Sequence, residues 1–348
     1  MIDLTNMEEI KKLDPKNVYE STEMFVDQCE QIWTDVKNIT YPQEYNQIKN
    51  VVICGMGGSS YGGRIIQNLF KETLTIPVYI NDDYNLPAYV GRSSLVLLSS
   101  YSGTTKEVLS AGKIALAKDA KVTWIASNNS LAKLLNIDSL PGVVFDPRYN
   151  PCGQPRLGTG YSILGAIAIL NQIGLVRIED RVIQRTIDEL RREKEKIKSQ
   201  AIEFAKKIFE GIPVIFAAEF LKGNAYVLRN QINETAKSFS SFNELPDLNH
   251  HLMEGLKNPT DKKLIVLFLS SDLYSDDLKK RITLTKEVVK KNSIPVLEYQ
   301  PQGREKISQI LDLLFFGGYL ALYLSFLYGQ DPGLIPWVDY FKTELSKK

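Results

Sequence analysis

Two hydroxyl-rich turns in the N-terminal half carry the residues best suited to chemistry. The first, Gly55-Met56-Gly57-Gly58-Ser59-Ser60, follows an apolar strand at 51–54. The second, Ser99-Ser100-Tyr101-Ser102-Gly103-Thr104-Thr105, follows an apolar strand at 94–98. Each opens a helix. Glycine lets such a turn bend sharply and come close to a ligand. The free N–H groups and positive dipole end of the following helix favour an anion. Serine and threonine hydroxyls donate to phosphate oxygens without adding charge. A neutral cradle suits a phosphate held as a handle, whereas a phosphate in transfer needs lysine, arginine or metal around it.

Other readings of the first turn compete. A dinucleotide fingerprint wants a third glycine where Ser60 stands, yet Asp82 and Asp83 fall near the place of a ribose-binding acid, so that reading stays open. No Walker-type Gly-Lys-Ser/Thr sequence occurs, which argues against nucleotide hydrolysis. A tight turn with no ligand is the plainest alternative. It weakens because both turns must converge at one sheet edge.

The C-terminal half holds the other candidates. The two histidines of the chain, His250 and His251, are adjacent, in Phe242-Asn243-Glu244-Leu245-Pro246-Asp247-Leu248-Asn249-His250-His251. Upstream lies Glu234, in Asn230-Gln231-Ile232-Asn233-Glu234-Thr235-Ala236-Lys237. A carboxylate and an imidazole across one turn can serve one pocket as base and proton shuttle. Against this, most helical glutamates are solvated and a histidine pair in a polar loop can be incidental. Arg156 follows an irregular, proline- and glycine-bearing stretch at 146–155. An arginine there reads either as an active-site group or as a surface ion pair. Lys342, in Trp337-Val338-Asp339-Tyr340-Phe341-Lys342, reads from position alone as a solvent-facing residue.

These groups need a frame, and alternation supplies it. Residues 1–48 read as two helices lying on the first domain. Strands at 51–54, 77–80, 94–98, 121–126 and 143–145 alternate with helices at 60–71, 104–118, 129–135 and 160–174. A charged helix at 178–209 leads on. Strands at 213–217, 264–269 and 295–298 then alternate with helices at 222–237, 275–291 and 305–328. That rhythm predicts two doubly wound parallel α/β sheets, in domains 1–176 and 177–348. Right-handed crossovers put ligands at the carboxyl ends of the strands, where both turns sit. The second half repeats the topology, and its strand ends read as lacking Ser-rich turns.

Composition narrows the class. The chain has 348 residues, 44% hydrophobic and 24% charged, with a formal net charge of +1. That balance gives no bulk electrostatic case for nucleic acid or membrane. The mixed run Arg191–Lys198 reads as a solvated helix face. The three cysteines, Cys29, Cys54 and Cys152, lack the spacing of a disulfide framework or zinc site. The apolar stretch 315–327 is short for a membrane span and reads as a buried helix. Met1-Ile2-Asp3 begins no basic-then-apolar signal. The compartment expected is the cytoplasm.

At Ser100-Tyr101-Ser102-Gly103-Thr104-Thr105 and the preceding Gly-rich turn, the chain resembles sugar isomerase (SIS) domains, which bind phosphosugars. The segment from Asn233-Glu234-Thr235-Ala236-Lys237 through Phe242-Asn243-Glu244-Leu245-Pro246 to Asn249-His250 resembles the second half of the bifunctional phosphoglucose/phosphomannose isomerases. Gly153-Gln154-Pro155-Arg156 and the C-terminal helix extend the likeness over nearly the whole chain. The resemblance implies that Gly58, Ser59, Ser100, Ser102 and Thr105 hold the phosphate of a hexose 6-phosphate. It implies that Glu234 moves a proton between C2 and C1, through an enediolate stabilised by Arg156. It makes His250 and Lys342 ring-opening partners, with His250 reaching the site of a second subunit in a homodimer. The reaction implied is conversion of glucose 6-phosphate, and of mannose 6-phosphate, to fructose 6-phosphate without metal or cofactor. One departure stands out. Ile335 occupies a position where the family often has a small polar residue tied to tolerance of both C2 epimers. The alternatives are another phosphosugar isomerase of this fold, or a non-catalytic phosphosugar-binding regulator.

Overall fold

The computed structural model describes residues 2–347. Three helices come first: α1 (Met7–Leu13), α2 (Val18–Glu23) and α3 (Phe25–Val36). The first sheet follows as β1 (Asn50–Cys54), α4 (Tyr61–Leu69), β2 (Val78–Asn81), β3 (Ser94–Ser99), α5 (Lys106–Ala117), β4 (Lys121–Ala126), α6 (Ser130–Leu135), β5 (Gly142–Val144) and α7 (Gly165–Ile173). The long α8 (Asp180–Ile208) crosses to the second lobe. There come β6 (Ile212–Ala218), α9 (Lys222–Thr235), β7 (Ser241–Leu245), α10 (Leu252–Gly255), β8 (Leu264–Leu269), α11 (Asp276–Lys291), β9 (Val296–Tyr299) and α12 (Lys306–Leu327). The last helix is α13 (Pro336–Ser346).

Both sheets are parallel, ordered β2-β1-β3-β4-β5 and β7-β6-β8-β9. The central strands β1 and β3 are buried throughout. Strands covered on both faces read as unbroken apolar runs, which is why they were legible. In each sheet the order reverses beside the first strand, between β1 and β3 and between β6 and β8. A crevice opens at such a switch point.

Antiparallel packing of α4 on α9 joins the lobes. Near the start of α9, a Cβ on Gly223 would lie 2.7 Å from the Arg64 carbonyl oxygen, so glycine alone permits the approach. Further on, the Tyr61 and Tyr226 rings meet edge to face at 6.2 Å. The start of α4, which leaves the Gly-rich turn, therefore lies beside the end of α9, which carries Glu234. α12 is long and apolar enough to cross a membrane, but 94% of its most apolar window is buried inside the protein. Its core position explains the composition.

Four sequence expectations change. Residues 1–48 form three α-helices among the described residues, because Asp14 breaks the pattern and its carboxylate accepts from the N–H groups of Val18 and Tyr19. β7 is a strand that polar Ser241-Phe242-Asn243-Glu244 concealed, being a half-buried edge. The cations of 191–198 clamp the N-terminal helices rather than simply meeting solvent: Arg191 pairs with Asp27 and Glu30, and Lys194 and Lys198 with Glu23. Finally, β8 does end in serines, Ser270-Ser271, with Ser275 opening α11.

Candidate active site

The two N-terminal turns meet at the first switch point. The Tyr101 N–H donates to Ser59 Oγ at 3.1 Å, tying one turn to the other. Ser59 and Ser100 are buried, and Ser100 Oγ lies 2.8 Å from Thr105 Oγ1. Ser102 is at the exposed rim, accepting from the Thr104 N–H at 3.3 Å. Gly103 takes φ +71°, and an added Cβ there would come within 2.9 Å of Leu131 N. Thr105 is the residue before α5, whose first N–H groups face the same end of the sheet.

Arg156 is brought directly against this cradle. A Cβ on Gly58 would sit 3.1 Å from Arg156 Cα, so the Gly-rich turn and the Arg156 loop pack backbone to backbone. The arginine is 5% exposed. Its Nη1 donates to Gln154 Oε1 at 3.0 Å, and its Nη2 to the carbonyls of Pro332 (2.8 Å) and Gly333 (3.3 Å). Its Nε is buried without a partner. The surface-ion-pair reading of this residue fails. Fully buried Gln28 of α3 holds the loop, donating to the carbonyls of Tyr149 and Leu157 at 2.9 Å each and accepting from the Gly160 N–H at 3.1 Å. The N-terminal helices thus have a purpose that their sequence did not disclose.

Glu234 sits in the last turn of α9, facing Arg156 from the first lobe and Lys342 from α13 across electrostatic distance. Burial raises its pKa, and the two cations oppose the rise. The arginine responds in kind: burial lowers its pKa and Glu234 raises it. Tyr61, fully buried at the start of α4, interacts with both; burial first, then Glu234, pushes its hydroxyl far above the ordinary tyrosine range. A half-buried carboxylate whose ionised form two cations support has the surroundings that a general base needs.

The histidines do not join this cluster within one chain. His250 is exposed in a short turn after β7, and His251 is exposed with its Nε2 3.3 Å from Asp247 Oδ2. Ile335 is the N-cap of α13. Asp82 is taken by Arg64 at 2.7 Å, which leaves it unsuited to a ribose. Tyr61, Gln28 and Lys237 belong to the neighbourhood and were not singled out. Lys237 alone had a sequence signal, a lysine just past a helix end where glycine is usual. Two adjoining depressions of about 260 and 370 Å³ flank the far end of α4, sharing Asn68, Lys71 and Lys222, and none of the candidate residues lines them.

A hydroxyl cradle at one switch point, faced by a carboxylate from a second parallel-sheet lobe, defines a two-domain SIS protein. Residues 44–136 match the SIS domain, and residues 197–345 match the bacterial phospho-glucose isomerase C-terminal SIS domain. The fold is shared with glucosamine-6-phosphate deaminase of Thermotoga maritima, at a TM-score of 0.66 and 17% identity over 91% of this chain and 97% of that one. A bifunctional phosphoglucose/phosphomannose isomerase of Caldicellulosiruptor bescii is 32% identical over 95% of this chain and 99% of its own. One from Aquifex aeolicus is 28% identical over the same shares. The chain belongs to the bifunctional phosphoglucose/phosphomannose isomerase family.

Proposed function

We propose that the chain interconverts glucose 6-phosphate and mannose 6-phosphate with fructose 6-phosphate, through an enediolate. The observation that carries this reading is the convergence of Glu234, Arg156 and Lys342 beside the hydroxyl cradle. Gly58, Ser59, Ser100, Ser102 and Thr105 grip the phosphate. Binding energy far from the reacting carbons then orients C1 and C2. His250 and Lys342 move protons during ring opening. Glu234 takes the C2 proton of the open aldose. The C2–H electrons enter the C1–C2 bond and charge develops on O1. Arg156, already fixed by protein carbonyls, balances that charge without reorganising. Glu234 returns its proton to C1 while the O2 proton passes to O1, leaving the C2 ketone. For mannose 6-phosphate, rotation about C2–C3 presents the epimeric proton to the same base. The positive charge comes from side chains, so the reading calls for no metal.

We divide the chain at 176/177, between the first sheet and the crossing helix α8. Three unpaired thiols fit a reducing cytoplasm. A homodimer is part of the proposal. α13 exposes Trp337 (81%), Tyr340, Phe341 and Leu345, an apolar face of the kind that a second copy covers. His250, exposed in its own chain, is then free to enter the partner's site.

A coupled assay with glucose, mannose and fructose 6-phosphates tests the substrate. Glucose 6-phosphate should turn over faster than mannose 6-phosphate, since Ile335 offers no hydroxyl. Glu234→Gln should lower kcat by about 10²–10⁴-fold. Full activity in that variant, or turnover of other phosphosugars with none of these, overturns the reading. Binding of fructose 6-phosphate with no turnover by the wild type would favour the regulator instead. Sharing of His250 is tested by mixing inactive Glu234→Gln and His250→Ala chains. Mixed dimers then contain one intact site and regain activity; if His250 serves its own chain, mixing restores nothing.

A further inference from the structure

Three consecutive carbonyls, of Asp331, Pro332 and Gly333, are each held by a cation of the site. Lys237 Nζ donates to the Asp331 carbonyl at 2.6 Å and to the Thr235 carbonyl at 3.0 Å. Arg156 Nη2 donates to the other two. The turn is closed by the Gly333 N–H, which donates to Asp331 Oδ1 at 2.7 Å. It leads directly into α13, where every side chain from 336 to 345 is exposed. Within the chain, the 331–333 turn thus ties the start of that helix, which carries Lys342, to Arg156 and Lys237.

The backbone of Lys237 adds a second indication. Its φ is +51°, in the left-handed region that glycine or asparagine enters more cheaply just past a helix end. Glycine would relieve the strain but could not reach Asp331. Strain of this kind persists where the surrounding structure enforces it. The side chain also satisfies a carbonyl in the last turn of α9, the negative end of that helix.

We propose that Lys237 is a positioning residue for the isomerisation: its ammonium ties the end of α9, just beyond Glu234, to the 331–333 turn and so sets where α13 presents Lys342. The proposal rests on the reading of Glu234 and Lys342 given above. The charged groups that act on the ammonium are Arg156 and Asp331. Burial first, and then Arg156, pulls its pKa down to about 8, with Asp331 opposing. A neutral amine donates fewer hydrogen bonds, so the tie loosens as pH rises through that value.

The test uses the full chain carrying Lys237→Met, Lys237→Arg, Lys342→Met, and the double variant Lys237→Met/Lys342→Met. Lys237→Met should lower kcat about tenfold or more, since small misplacements of a reacting group are costly. KM for fructose 6-phosphate should stay within about threefold, the phosphate grip lying in the other lobe. Lys237→Arg should recover most of kcat. The double variant should be no slower than Lys342→Met within about twofold, because the tether acts through that lysine. Amide exchange across 334–346 should quicken in Lys237→Met while α9 stays protected. The wild-type fall in kcat above pH 8 should be absent from Lys237→Met. Multiplicative losses in the double variant, or unchanged exchange in α13 of a folded Lys237→Met, overturn the proposal. If Glu234→Gln stays fully active the base assignment falls, while the exchange result still decides whether the tether exists.

Discussion

The first sheet has its switch point between β1 and β3, and the second between β6 and β8. In the first crevice Ser59, Ser100 and Thr105 present hydroxyls, and the tie across the strand ends runs from the Tyr101 N–H to Ser59. In the second crevice a tie of the same kind runs from the Ala218 N–H to the Tyr274 hydroxyl at 3.3 Å. There, however, the chain supplies its own anion. Glu219 Oε1 accepts from Ser275 Oγ at 2.8 Å and from the Ser275 N–H at 3.4 Å. Glu219 takes φ +41°, close to the +51° of Gly57 in the first lobe. Ser275 precedes α11 as Thr105 precedes α5, so this carboxylate is held by the counterpart of a cradle hydroxyl. One topology thus makes two anion-favouring crevices, and the content of each decides its use. The first is left for a ligand. In the second a carboxylate of the chain already holds the capping serine, and the helix that follows carries Glu234, the base of the proposed reaction.

The sharpest way to break this comparison is to remove one serine hydroxyl from each crevice. Ser100→Ala should lower kcat/KM for fructose 6-phosphate by about 10–100-fold, the worth of a hydrogen bond to a charged group. Ser275→Ala should stay within about twofold, as its partner is protein. Steady-state kinetics on both variants decides it; equal losses would mean that the second crevice also touches substrate.

The two second-lobe carboxylates, Glu234 and Glu219, should also part on pH. Burial raises the pKa of Glu234 above 4.5, and the base must be ionised to act. The rate constant kcat/KM should therefore fall as pH drops through a limb above the ordinary glutamate value, about tenfold per pH unit beyond it. Lys342 favours the ionised form, so Lys342→Met should move that limb to higher pH. Glu219→Gln should leave it in place. A limb that follows Glu219 rather than Lys342 would put the base in the wrong crevice.

How much of this was legible varies by element. The buried strands declared themselves because parallel, doubly covered strands are continuous apolar runs. The cradle did so because its glycines and hydroxyls are local to two turns. Glu234 and Arg156 are 78 positions apart in the sequence. Their meeting depends on the antiparallel packing of α4 on α9, set by contacts such as Gly223 against Arg64, which no local pattern reveals. The family resemblance, rather than periodicity, pointed to that pair. Gln28 and Tyr61 were invisible for the same reason: each looks like an ordinary helix residue until the partner loop is in place. The serines after β8 were overlooked because no glycine accompanies them. In the turn after β6, the counterpart of the first lobe's Gly-rich turn, the positive φ is borne by Glu219, a residue whose type does not announce it.

The smallest effect comes from emptying the second crevice. Glu219→Gly removes the hydrogen bonds to Ser275, together worth about 1–3 kcal/mol for a charged acceptor. It also relieves a left-handed non-glycine residue, worth roughly 1–2 kcal/mol in the other direction. The two nearly cancel, so the melting temperature should move by only a few degrees and the isomerase rate hardly at all. What should change is the response to inorganic phosphate. The emptied crevice keeps the first N–H groups of α11 and the depression that Ser275 lines together with Lys71, Lys222, Arg281 and the one remaining acid, Asp277. Phosphate should then raise the melting temperature of Glu219→Gly more than that of the wild type, because a ligand that binds only the folded state stabilises it. Equal responses would show that the second switch point never had the character of a cradle, and that the likeness between the lobes ends at their topology.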